Sequence, residues 1–137
     1  MEKFSSNCYG FVYAGLRNSN EDFFKWADDI EYGKTLKKWK LSDTIYETTE
    51  EIIDVLIGFA IIEIFDEEWK SQHVAFLDYN WKIYDQDWPD WPIRTNITLD
   101  DLLSEYKERL GNLTYKIHDI KDSQKENVKN FINEVKR

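Results

Sequence analysis

The chain has 137 residues, which suits one domain with its own core, so 1–137 is read as a single unit. Six Trp, eight Tyr and eight Phe set against five Gly and two Pro exclude a disordered chain. A net charge of −9 repels phosphate backbones over most of the surface and argues against a nucleic-acid partner, and one cysteine excludes an internal disulfide.

The first predicted element is a helix from about Cys8 to Leu16, with Ser6 or Asn7 as its cap and Phe11, Val12 and Leu16 as its buried stripe. Asn20 caps a second helix in which Phe23, Phe24, Ala27 and Ile30 recur at helical spacing, and Leu36 and Trp39 extend it past Gly33. The neighbouring Lys34, Lys37, Lys38 and Lys40 read as a solvated helix face. Thr48 and Glu51 form a capping box for a third helix carrying Ile52, Ile53, Leu56 and Ile57.

A β-branched and aromatic run then predicts a strand over 60–66, followed by extended segments over 72–78 and 82–85 joined as a hairpin by a turn around Tyr79 and Asn80. Thr98 with Asp101 caps a later helix bearing Leu99, Leu102, Leu103, Tyr106 and Leu110, which Gly111 closes. Leu113, Tyr115 and Ile117 alternate as a strand, and Val128, Phe131, Ile132 and Val135 make the stripe of a terminal helix. No internal repeat or linker stands out. The expected fold class is α+β, with N-terminal helices packed on an antiparallel sheet of about four strands.

Three side chains form the candidate chemistry. Cys8 opens a helix, where the dipole and unpaired N–H groups favour the nucleophilic thiolate, although free Cys is also common as core filler. His73 is the candidate base and Asp85 the carboxylate that orients it, in the chain order Cys, His, Asp. Along its strand His73 shares a face with Ala75 and Leu77. A three-residue turn centred on Tyr79 sets His73 directly opposite Asp85, whereas a two-residue turn at Tyr79 and Asn80 sends them to opposite faces. In that event Asn80, Gln86 and Asp87 are the substitutes.

The N-C pair opening an apolar helix, the strand beginning H-V-A-F and the next strand ending Y-D resemble the bacterial papain-fold hydrolases, which include papain-fold toxin domains and small cell-wall endopeptidases. The resemblance spans about Asn7 to Asp87. It implies a papain-like arrangement in which Cys8, His73 and Asp85 are nucleophile, base and orienting residue, and a peptidase, amidase or protein deamidase acting on a protein or peptide. The chain departs from papain in having no Gln ahead of the Cys for the oxyanion hole, which leaves Asn7 or backbone N–H groups as donors.

The alternative is a small acidic immunity or inhibitor protein that covers a basic partner protein with its carboxylates and Trp residues, among them Trp81, Trp88 and Trp91. His118 falls on a strand face with Thr114 and Lys116 and reads as a solvent-side position. With no zinc-spaced cluster, calcium loop or Gly-rich phosphate loop, neither metal nor cofactor is expected. The longest apolar run, Val55 to Ile62, is far short of the roughly 20 residues that span a bilayer. With no signal-peptide pattern at the start, the expected location is the cytoplasm, or export as an effector without a cleavable signal.

Overall fold

The computed structural model describes residues 8–17, 45–46, 58–86 and 92–136. Within these, the chain runs α1 (Cys8–Arg17), β1 (Ile45–Tyr46), β2 (Ala60–Phe65), β3 (Ser71–Leu77), β4 (Lys82–Asp85), β5 (Arg94–Thr98), α2 (Leu99–Leu110), β6 (Thr114–Asp119) and α3 (Asp122–Val135). The helices expected over 20–39 and 48–57, with the lysine cluster, lie outside the described residues. The fold is α+β. Six antiparallel strands in the order β1-β6-β2-β3-β4-β5 replace the four or so expected. The additions are β1, only two residues long, and β5, RTNIT.

Helices cover both faces of the sheet, which explains why β2 is apolar without alternation: every residue of AIIEIF is buried. Ile61, Val74, Phe76 and Tyr84 face one core with α1 and α3. Ala60, Ile62, Ile64, Ala75, Leu77 and Ile83 face a second core with Leu99, Leu102 and Tyr106 of α2. Thr98 and Asp101 form the expected capping box at the start of α2, and Gly111 ends that helix at φ 80°.

Both turns flanking β3 are built alike, on D-E-E-W-K at 66–70 and D-Y-N-W-K at 78–82, a recurrence too short to register as a sequence repeat. In each, one oxygen of the leading Asp accepts two backbone N–H groups, from Glu68 and Lys70 in the first and from Asn80 and Lys82 in the second. The other oxygen reaches forward, Asp66 to the Gln72 amide at 2.9 Å and Asp78 to the Tyr84 hydroxyl at 2.8 Å. These bonds hold Trp69 and Trp81 at φ 62° and 64°, a region that aromatic residues rarely adopt. Burial together with the hydrogen bond and charge of Asp78 raises the Tyr84 pKa above its ordinary value.

The first core fixes α1 against the sheet through three rings, with Phe11 5.2 Å from Phe131 and 6.0 Å from Phe76. Asn127 of α3 donates to the Leu16 carbonyl at 3.0 Å, satisfying one end of α1. Close approach depends on Gly15, where a Cβ would come within 2.5 Å of the Phe76 ring. Gly15→Ala would gain about 1 kcal/mol of helix propensity in an exposed helix. Here overpacking wins: we expect a net loss of about 1–3 kcal/mol in urea unfolding, with a lower midpoint and an unchanged slope.

Candidate active site

Two breaks in sheet register shape the site. Ile64 pairs with His73 but Phe65 pairs with Ser71, so β3 carries one extra residue, Gln72, between them. Because partners across a ladder share a face, this bulge turns Ser71 and His73 toward opposite sides of the sheet. Ser71 points to the α1 side, where its hydroxyl lies 2.6 Å from that of Tyr9. His73 goes with Ile64 to the α2 side and stacks on Tyr106, with centroids 4.8 Å apart and planes at 23°.

The second break is in β5. Ile83 pairs with Ile97 and Asp85 with Arg94, so three steps along β5 answer two along β4. A regular ladder would place Thr95 opposite Asp85. The bulge brings the longer, cationic Arg94 there instead.

The hairpin between β3 and β4 differs from both turns foreseen. Its pairs are Phe76 with Tyr84 and Leu77 with Ile83, which centres the three-residue turn on Asn80 rather than Tyr79. Asp85 therefore lies diagonally from His73, not opposite it, yet on the same face because the register keeps its parity. The side chains close the remaining gap: His73 Nε2 sits 2.7 Å from Asp85 Oδ2, and both residues are 0% exposed. A carboxylate only accepts, so Nε2 carries the proton of this bond.

Cys8, on α1, lies close enough to the same ring for its charge to act on the imidazole. It is the first residue of α1 and only 5% exposed. With Nε2 committed to Asp85, exchange of a proton with sulfur falls to Nδ1. The structure thus pairs His73 with Asp85 past the end of the β3–β4 ladder and sets Cys8 near enough to bear on the charge of His73. Of the substitutes, Asn80 sits in the turn, Gln86 is buried beside Asp85, and Asp87 lies outside the described residues.

Asp85 is held from behind by Arg94, whose Nε donates to Oδ1 at 2.8 Å and whose Nη2 donates to Oδ2 at 2.7 Å. The remaining Nη1 donates to Glu105 of α2 at 2.6 Å, and Glu105 also pairs with Arg109 at 3.0 Å. The Arg109 guanidinium lies 4.9 Å above the Tyr106 ring that carries His73. Arg94, Glu105 and Tyr106 were not foreseen as site residues. Only the i,i+4 spacing of Glu105 and Arg109 was visible beforehand, and it signals no more than a helix-surface pair.

Burial works against a charged imidazole at His73. The negative charge of Cys8 and the hydrogen bond and charge of Asp85 outweigh it, raising the pKa from 6.5 to about 10. Burial also opposes the Asp85 carboxylate, but His73 and then Arg94 hold its pKa below the ordinary carboxylate value. Asp85 and Glu105 push Arg94 the other way, further above its already high value.

His118 is not on a solvent face. It lies on β6 between β1 and β2, and its Nε2 is 3.0 Å from Oε1 of buried Glu63. Both faces of an interior strand are covered here, which overrides the polar appearance of its neighbours. Among the described residues, the exposed large apolar side chains, Trp69 and Tyr79, sit in the turns at opposite ends of β3 and form no common surface. Trp81 packs on the second core, and Trp88 and Trp91 lie outside the described residues. Among those residues no three His, Cys, Asp or Glu side chains converge as metal ligands would, and no helix is long and apolar enough to cross a membrane.

No protein-family model, curated protein or solved structure matches the chain.

The raised His73 pKa makes a signed prediction. Its contribution to stability is complete below pH 6.5 and is lost as pH rises from there through about 10, while that of Asp85 is lost on acidification below the ordinary carboxylate pKa. Urea denaturation across this range should show stability falling on the alkaline side. Asp85→Asn, which removes a charge that favours the imidazolium, should make that fall shallower; an equal slope in both proteins would show that His73 and Asp85 are not coupled.

Proposed function

We propose that this chain is a thiol-dependent acyl-transfer enzyme of the papain-like kind, a peptidase, amidase or protein deamidase related to bacterial papain-fold toxin domains and small cell-wall endopeptidases. One observation carries the reading: a cysteine at the start of a helix shares its histidine with a buried, ionised aspartate. The chain order of helix, His strand and Asp strand on an antiparallel sheet supports it as well.

In this reading the resting pair is a Cys8 thiolate and a His73 imidazolium. Sulfur attacks the acyl carbon of an amide, and its carbonyl oxygen becomes an oxyanion. The backbone N–H of Cys8, one of the first four of α1 and so without a partner within the helix, is a donor available to it. As the intermediate collapses, the C–N bond breaks and the leaving nitrogen takes the proton of His73 Nδ1. The neutral imidazole then removes a proton from water, which attacks the thioester, releases the acid and restores the thiol pair. Asp85 keeps one tautomer throughout by accepting from Nε2, and Tyr106 holds the ring plane.

Burial excludes water from the ion pair and strengthens it. It also means that side chains over Cys8 move aside for an acyl group to reach the sulfur, a constraint that favours a narrow substrate such as an extended peptide or a single Gln side chain.

The test is turnover of a peptide library followed by mass spectrometry, in which a peptidase makes new termini and a deamidase converts Gln to Glu. Cys8→Ala should lose activity by on the order of 10³-fold or more while keeping the native circular dichroism spectrum. Activity equal to wild type in Cys8→Ala, or a wild-type protein inert to acyl substrates and to a peptidyl vinyl sulfone, would refute the proposal.

A further inference from the structure

We propose that Arg94 is a positioning residue of the thiol site, fixing the plane of the Asp85 carboxylate so that one of its oxygens stays aimed at His73; this role rests on the acyl-transfer reading above. An Asp side chain held only through His73 could rotate about its last torsion and swing that oxygen out of line. Arg94 prevents this with two parallel bonds, Nε to Oδ1 at 2.8 Å and Nη2 to Oδ2 at 2.7 Å, a fork that matches a carboxylate in plane as well as in charge.

The guanidinium is itself anchored. Its third nitrogen donates to Glu105 at 2.6 Å, so rotation of Arg94 would break three bonds at once. The chain also departs from regular pairing to place it, since the β5 bulge sets Arg94 opposite Asp85. An arginine serving only to tie an edge strand to α2 would need Glu105 and not a buried carboxylate shared with a histidine. Of the three bonds, two go to that carboxylate.

The experiment follows alkylation of Cys8 by iodoacetamide as a function of pH in the full chain, beside its thermal unfolding. Limited access to the buried sulfur scales the whole rate profile and leaves the position of its acid limb unchanged. Without the cation, buried Asp85 binds a proton more readily, and the thiolate–imidazolium pair that needs its charge is lost sooner on acidification. Arg94→Met should therefore move the acid limb to higher pH by about 1–3 units, the usual effect of one guanidinium on an Asp.

Arg94→Lys, which keeps the charge without the fork, should recover part of that shift. Glu105→Gln, which weakens the anchor and the pair with Arg109 but leaves both bonds to Asp85, should move the limb in the same direction by less. Should Arg94→Met fail to fold, the lysine and Glu105 variants decide the matter, because each is expected to displace the limb from the wild-type position. Profiles that overlay wild type while the melting temperature falls would overturn the positioning role and leave a purely structural ion pair. A different result bears on the parent reading: if native wild type loses reactivity on acidification together with urea-unfolded protein, there is no activated thiol, and the enzyme proposal and this role fall together.

Discussion

The carboxylate of Asp85 is the group on which the site depends. It is fully buried, and a buried charge is costly unless it is paired and hydrogen-bonded. Three donors meet that requirement, His73 Nε2 and two nitrogens of Arg94, and they come from strands on either side of β4. One side chain therefore links β3, β4 and β5, and through Glu105 it links them to α2. Replacing any one partner leaves the others with an uncompensated charge in a low-dielectric interior, so the cluster behaves as a unit.

That constraint explains why β5 is irregular where it is. A regular β3 would have sent Ser71 and His73 to the same face, and a regular β5 would have set Thr95 opposite Asp85. Each bulge changes the phase of one strand by one residue. The β3 bulge leaves His73 in register with the body of its strand and turns only Ser71 away, whereas the β5 bulge directs a guanidinium to the carboxylate that His73 reaches, while the remaining strand residues keep filling two apolar cores. The rings of Phe11, Phe76 and Phe131 fix α1 on the opposite face and with it the position of Cys8. Packing, and not the site's own bonds, delivers the sulfur to the histidine.

Much of this was legible in the chain. The capping box of Thr98 and Asp101, the terminal stripe of Val128, Phe131 and Ile132, and the β-branched run of β2 are local patterns whose physics does not depend on the rest of the fold. Cys8 and His73 could be named because the chain holds one cysteine and two histidines, and Asp85 because its place after them in the chain is suggestive. The bulges could not, since nothing in Q-H-V or R-T-N states which residue a neighbouring strand will leave unpaired. For the same reason Arg94 stayed hidden, and the hairpin matched neither of the two turns considered: the left-handed position went to Trp81, not to the Asn or Gly that ordinarily marks it. His118 was misjudged because the burial of an interior strand is decided by what packs over it.

The central claim is that Cys8, His73 and Asp85 form one coupled ionic unit. It is tested most directly by following the His73 imidazole nitrogens by NMR as pH is raised, in wild type and in Cys8→Ala. The account predicts that wild-type His73 stays charged well beyond its ordinary 6.5 and titrates near about 10, with a clear drop when the sulfur is removed. A His73 that titrates near 6.5 and is indifferent to Cys8→Ala would contradict it.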